Sequence, residues 1–331
     1  MKAIEITGSG KDATLRLAEA PEPAPGPSEV LIEVAATAVN RADLLQRRGL
    51  YPPPPGASSI LGLECSGTIV ELGPGAGAWR VGDRVCALLP GGGYAEKAVA
   101  HTGSLLAVPA ALSLDDAGGL PEVFLTCSLN LFQIGGVSAG GWALVHGGGS
   151  GVGTTAIQLL RREGVRTIVT AGSDEKCRRC LDLGADLALN YRALDAKFAG
   201  AVLEATGGRG VDVVLDSIGA PYLAQHLECL AAGGRLVIIG LMGGARSEVD
   251  LAAVLRKRIT IVGSTLRARS PEEKAGIVGY FRDRFGAALE RGELRPVVHA
   301  VLPLADAQRA HEMLEASEHF GKVVLRVRAS R

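Results

Sequence analysis

The stretch WALVHGGGSGVGTTAIQL, residues 142–159, decides how the rest of this chain is read. WALVH (142–146) is a short, largely apolar run of the kind that fills a buried strand. The glycine-dense HGGGSGVG (146–153) follows at once, and residues 152–163 then carry Ala156, Leu159 and Leu160 at helical spacing. A glycine turn between strand and helix lets the backbone approach a pyrophosphate, whose charge the free N–H groups at the helix start stabilise. Against the pattern G-x-G-x-x-G, Gly148 and Gly153 fit, whereas Ser150 holds the middle position. The strand–loop–helix context makes this a dinucleotide-binding loop, with a plain Gly-rich turn as the alternative.

The segments around the loop extend the pattern. Short apolar runs at 167–170, 187–190, 211–215, 236–240 and 259–263 alternate with helical stretches at 174–182, 196–206 and 221–230. Uniformly apolar strands separated by helices predict a parallel sheet covered on both faces, here a six-stranded, doubly wound α/β domain of the Rossmann type. Residues 1–118 read differently, with β-rich segments at 29–36, 67–72, 84–89 and 94–99. Proline-rich loops lie at 21–27 and 52–56, and one short helix at 41–48. Beyond Gly263 come a long helix (271–291) and a closing strand (322–327). The expected organisation is a β-rich domain at 1–118, completed by 267–331, and a nucleotide-binding domain at 119–266.

Composition narrows the function. The 331 residues include 45 Gly, and 35 basic side chains balance 35 acidic ones. Nine of the glycines fall between Gly135 and Gly153, so the surplus marks a loop rather than low complexity. Charge balance argues against a dedicated nucleic-acid binder, which needs a basic surplus. No apolar run nears the ~18–20 residues of a spanning helix, and MKAIEITGSGKD is no signal peptide, which together predict a cytoplasmic protein. Six scattered cysteines give no disulfide framework, and Cys177 with Cys180 read as two thiols on one helix.

The choice of dinucleotide is read at the end of the second strand, in TIVTAGSDEK (167–176). A carboxylate there would favour NAD. Gly172 and Ser173 stand there instead. Ser173 can donate to a 2′-phosphate, Gly172 leaves room for it, and Lys176 offers a charge partner. Tyr191 and Arg192, after the third strand, can join the same pocket. Asp174 and Glu175 keep NAD open, unless they serve as acidic residues at a helix start. The expected coenzyme is NADP(H).

Several long stretches carry a family resemblance: VNRADLLQRRGLYPPPPGAS (39–58), ILGLECSG (60–67), LLPGGGYAE (88–96), LPEVFLT (120–126), HGGGSGVGTTAIQL (146–159) and GKVVL (321–325). With them the chain resembles, over essentially its whole length, the medium-chain dehydrogenase/reductases. It is most similar to the zinc-free quinone oxidoreductases of the zeta-crystallin-like branch. The resemblance implies a GroES-like catalytic domain beside the Rossmann domain. Zinc-dependent members carry a Cys near the NRAD position and a G-H-E after it. Here Asn40-Arg41-Ala42-Asp43 and Gly62-Leu63-Glu64 replace them, and no metal is expected.

The resemblance also implies the site. Asn40 would lie near the nicotinamide or substrate oxygen, Tyr51 on the rim with its ring or hydroxyl, and Ser150 at the cofactor loop. Each has a simpler reading as a helix cap, a loop residue or a backbone partner. Gly148, Gly151, Val152 and Gly153 would hold the pyrophosphate, with Thr126 at the nicotinamide end. Further cofactor contacts would come from Gly240, Leu241 and Met242, from Ser264, Thr265 and Leu266, and from Lys322. The expected activity is NADPH-dependent quinone reduction by a homodimer or tetramer. Reduction of an enone or enoyl C=C bond is the alternative, and a non-catalytic NADPH- or RNA-binding protein a second one.

Overall fold

The computed structural model describes residues 1–328, so the end of the 267–331 segment lies outside the described residues. In chain order the strands are β1 Lys2–Thr7, β2 Thr14–Glu19, β3 Glu29–Ala38, β4 Glu64–Leu72, β5 Arg84–Leu88, β6 Lys97–His101 and β7 Leu105–Ala107. Then follow β8 Trp142–His146, β9 Arg166–Ala171, β10 Leu187–Asn190, β11 Val211–Asp216, β12 Leu230–Ile238 and β13 Thr260–Gly263, and finally β14 Val298–Pro303 and β15 Lys322–Arg326. Two compact units result: Met1–Leu125 with the chain from Leu266 onward, and Thr126–Thr265. The first division falls at Leu125, later than the 118 of the sequence reading. Helix Pro121–Cys127 continues straight into a π-helical segment, Ser128–Ile134, so no loop punctuates the chain there.

In the second unit six strands form one parallel sheet in the order β10-β9-β8-β11-β12-β13. The chain winds outward from β8 to β10, returns, and winds the other way from β11. That reversal makes the crevice between β8 and β11 the place where doubly wound sheets bind ligands. β8 is buried along its whole length, as expected for a strand covered on both faces. Leu144, Ile168, Val214 and Leu236 from the sheet pack with Phe198, Val202 and Leu227 from covering helices. β12 begins at Leu230, earlier than the apolar run suggests. Its pairing jumps from Val211↔Leu230 to Val213↔Arg235, a bulge that absorbs Gly233 and Gly234.

One polar cluster lies inside this core. His146 Nε2 and His226 Nε2 are 2.8 Å apart, and His146 Nδ1 is 2.9 Å from Thr170 Oγ1. The rings of Phe198 and Tyr222 stand 4.9 Å from that of His146. Among the described residues, His146, Asp216 and His226 form the one group with metal-ligand grouping. Two imidazole nitrogens on one zinc would stand roughly 3.3 Å apart, and these two share a proton instead. Both Asp216 oxygens accept backbone N–H groups, from Ile218 (2.7 Å) and Gly219 (3.0 Å).

In the first unit a seven-stranded sheet has the order β14-β15-β3-β4-β5-β7, with β6 also paired to β3. β14 and β15 are parallel and the other pairs antiparallel. The hairpin β1–β2 attaches through an Ala3–Ala95 bridge. The long helix Pro271–Glu290 starts on a capping box, in which Ser270 Oγ accepts from Glu273 N and Glu273 Oε2 accepts from Ser270 N. The segment after it supplies two strands and the helix Ala307–Glu315 to this unit, where the sequence reading has one strand. No helix among the described residues is long and apolar enough to cross a membrane.

Burial pushes the His226 imidazole down to about 3. The folded chain thus keeps His226 neutral, whereas the unfolded chain protonates it near pH 6.5. Its stabilising contribution is complete above pH 6.5 and drains away as pH falls toward 3. Thermal melts between pH 7 and pH 4 will show a smaller fall in Tm for His226→Asn than for the wild type. Parallel falls would contradict a neutral pair.

Candidate active site

The carboxyl end of β8 delivers the glycine loop. Ser150 caps the helix Gly151–Arg162, its Oγ accepting from Gly153 N at 3.0 Å. The N–H groups of Gly151 and Val152 have no acceptor among the described residues and are available to an anion. Gly153 is required by close approach, since a Cβ there would stand 2.3 Å from Gly147 O and 2.5 Å from Gly148 Cα. The departure from the glycine pattern at Ser150 therefore has a physical role, and the capping reading of this residue describes its observed bond. Cys127 Sγ donates to Val152 O at 3.3 Å and steadies the loop from behind.

At the end of β9, Ser173 caps the helix Asp174–Leu183 and accepts from Lys176 N at 3.2 Å. The space above Gly172 belongs to Tyr191, whose hydroxyl would be 3.0 Å from a Cβ at that position. Partial burial, followed by the charges of Arg192 and Arg179, lowers the Lys176 pKa, so three cations share this corner. Asp174 is tied to Asn190 Nδ2 at 2.7 Å and sits in the first helical turn. Gly240, Leu241 and Met242 follow β12, with Met242 N donating to Ser217 O and both large side chains exposed. Ser264 and Thr265 follow β13, and Ser264 N donates to Ile238 O. These segments all leave the carboxyl edge of one sheet. Thr126 opens the unit, its carbonyl accepting from Asn130 Nδ2. Leu266 is buried and belongs to the other unit.

The first unit holds a buried charged network. Lys322 Nζ donates to Glu64 Oε1 (2.7 Å), Asn40 Oδ1 (2.7 Å) and Val39 O (3.3 Å). Asn40 Nδ2 donates to the same Glu64 oxygen at 2.9 Å, and Glu122 N donates to the other at 2.9 Å. Glu64 is 0% and Lys322 3% exposed. The Asn40 amide is engaged at both ends, its Nδ2 with Glu64 and its Oδ1 with Lys322. All three Lys322 ammonium hydrogens are used within the network, where the ammonium neutralises Glu64.

Asp43 adjoins this network, its carboxylate accepting from Asn40 N (2.8 Å), Gly62 N (3.1 Å) and Tyr94 Oη (3.3 Å). Burial pushes it up to about 6. Tyr51 is half-buried in its proline-rich loop, with the Arg267 guanidinium 5.2 Å from the ring centroid. Arg267 is itself held by Pro90 O, Tyr51 O and Gln46 Oε1. Desolvation, then the nearby Glu122 charge, raise the phenol pKa above its usual value, against Arg267. The hydroxyl of Tyr51 stays protonated at neutral pH. Sequence reasoning missed Glu122, Lys274 and Arg267, whose charges meet only once the long helix folds back. Glu122 lay in full view in LPEVFLT.

A zinc ion does not fit these donors. Asn40 and Leu63 stand where the ligand types would be needed, and both Glu64 oxygens are taken, one of them by an ammonium. Burial raises the Cys65 and Cys86 thiols, which stay protonated. Zinc needs about three deprotonated protein ligands.

Residues 26–110 match the family model "Alcohol dehydrogenase GroES-like domain", and residues 151–278 match "Zinc-binding dehydrogenase". The chain belongs to the medium-chain dehydrogenase/reductase family, and its relatives there include quinone oxidoreductases. The quinone oxidoreductase of Rattus norvegicus is 31% identical, over 98% of this chain and 97% of its own length. A 2-haloacrylate reductase of a Burkholderia species is 32% identical, over 91% of each chain. The structure of Escherichia coli quinone oxidoreductase complexed with NADPH superposes with a TM-score of 0.87 at 28% identity, covering 99% of this chain and 100% of that one.

Removing one partner of a buried ion pair strands the other. Lys322→Met should therefore lose about 3–5 kcal/mol of unfolding free energy, and Glu64→Gln a comparable amount. The double variant should recover part of the loss. Urea denaturation giving strictly additive losses would contradict the pairing.

Proposed function

We propose that this chain is an NADPH-dependent, zinc-independent quinone reductase. The observation that carries it is the charged network of Glu64, Lys322 and Asn40, which fills the place of a metal site with an ion pair. An alcohol needs a Lewis acid to stabilise its alkoxide. A quinone is already a strong electron acceptor and asks the protein mainly for proximity and orientation. Bound NADPH supplies the hydride, and the protein supplies binding and electrostatics.

Gly151 and Val152 N–H groups would hold the pyrophosphate, with Gly148 and Gly153 giving the clearance. Ser173, Lys176, Tyr191 and the neighbouring arginines would hold the 2′-phosphate. Thr126, residues 240–242 and residues 264–266 would line the rest of the coenzyme. The NADPH bound by the Escherichia coli relative supports this coenzyme. A second reading, reduction of an activated C=C bond, is supported by the protonated phenol of Tyr51 and by the 2-haloacrylate reductase relative.

The assembly we propose is a homodimer. β13 is the outer strand of its sheet, with Ile261 exposed, and the preceding helix exposes Leu251 and Leu255 at 74% and 78%. An open apolar edge is a template for pairing with a second copy. Sedimentation at micromolar concentration should give twice the chain mass, and a monomer would reject the assembly.

Steady-state assays with ortho-quinones and with 2-haloacrylates or enones test the activity. The expected result is saturable NADPH oxidation by quinones, whereas turnover confined to C=C acceptors would favour the second reading. Lys176→Ala should raise KM for NADPH about tenfold, the worth of one charge-assisted contact, and leave KM for NADH unchanged. An equal change for both coenzymes would contradict the phosphate pocket.

A further inference from the structure

A line of polar contacts runs through the core of the second unit and ends at the glycine loop. It starts at His226, on the helix Leu223–Cys229, whose Nε2 is 2.8 Å from Nε2 of His146, the last residue of β8. His146 Nδ1 is 2.9 Å from Thr170 Oγ1 on β9. The Thr170 carbonyl in turn accepts from Gly148 N at 2.8 Å, inside the loop. His226, His146 and Thr170 are 0%, 2% and 1% exposed, so bulk water reaches none of them. Every member of the line belongs to the unit Thr126–Thr265.

Polar side chains are costly at this depth, and the rest of β8 is filled by Trp142, Ala143, Leu144 and Val145. Apolar contacts would hold the strand in place but would fix no direction, whereas hydrogen bonds do. The His146 ring is held at both nitrogens and stands 4.9 Å from the rings of Phe198 and Tyr222. Gly148 has no room to drift, since a Cβ there would meet Val169 Cβ at 2.8 Å and Cys180 Sγ at 2.9 Å. The line therefore determines how β8 hands over to Gly147, which takes a φ of +74°. Ser150 N donates to Gly147 O at 2.8 Å, so that setting passes on to the residue that caps the helix.

We propose that His226 is a positioning residue for the coenzyme. Fully buried, it acts through His146 and Thr170 to set the loop that receives the pyrophosphate. This rests on the reading of the glycine loop as the pyrophosphate site. Between two neutral imidazoles one ring donates and the other accepts, so each nitrogen depends on its partner. Without His226, Nε2 of His146 is a buried polar group with nothing to bond. The ring turns to find a partner, and the Thr170 hydroxyl loses its own. Gly148 and Gly147 then lose their fixed setting, and the free N–H groups of Gly151 and Val152 no longer converge on an anion.

The test measures NADPH binding directly, by the fluorescence of the bound coenzyme, and needs no turnover. His226→Leu should raise the Kd for NADPH about tenfold, the worth of one lost hydrogen bond. H226Q, which can place an amide where Nε2 stands, should stay within about threefold of wild type. Thr170→Val cuts the line at its other end and should reproduce the loss, which gives a second reading if H226L folds poorly. The double variant should bind no more weakly than the weaker single one, because both changes break one line. Adenosine 2′-phosphate carries no pyrophosphate, and its Kd should stay within about twofold of wild type in every variant. A general loosening of the unit would weaken both ligands alike. An unchanged NADPH Kd in H226L and T170V, losses that multiply in the double variant, or equal losses for adenosine 2′-phosphate overturn the proposal. Gly153→Ala, whose Cβ would stand 2.3 Å from Gly147 O, should lose NADPH binding. If it binds NADPH as wild type does, the loop reading itself fails.

Discussion

Glu64 is a carboxylate with no access to water, and a bare charge in that position would cost more than the whole first unit can supply. Lys322 resolves the problem, and its position explains why the chain must return after the nucleotide-binding unit. The ammonium arrives on β15, which pairs with β3, and it binds Glu64 of β4 and Asn40 at the start of a helix in one cluster. Segments far apart in sequence are thereby tied at one point. Asn40 then fixes Asp43, and Glu64 fixes the first turn of the helix that carries Glu122.

The same arrangement shapes the chemistry. Burial pushes the Asp43 carboxyl up to about 6, and burial first, then the Glu64 charge, push the Glu122 carboxyl up to about 8. Quinones and activated alkenes are easily reduced and ask for no Lewis acid, so the proposed reductase has two readings of its substrate.

The second unit was legible because its signals are local. Uniform apolar runs at strand spacing, a glycine loop and an acidic helix start each reflect neighbouring residues, and the six strands followed from them. Ser150 illustrates the limit of motif matching, since a mismatch to the glycine pattern turns out to be the residue that caps the helix. The first unit was less legible because its site is built from long-range pairs. Glu64 and Lys322 are 258 residues apart, so their pairing has no trace in spacing. Asn40 and Lys322 stand out in the sequence only through the family resemblance, because neither residue type announces that it is buried against a charge. His146 and His226 escaped for the same reason, 80 residues apart and joined only by the folding of the sheet.

The proposed reductase works with the Glu64–Lys322 ion pair and without a metal. Elemental analysis of the purified chain, combined with NADPH oxidation before and after exhaustive chelation, tests it most directly. Far less than one zinc per chain and an unchanged rate after chelation are expected. One tightly held zinc per chain, with activity that disappears on its removal and returns with the metal, would contradict it.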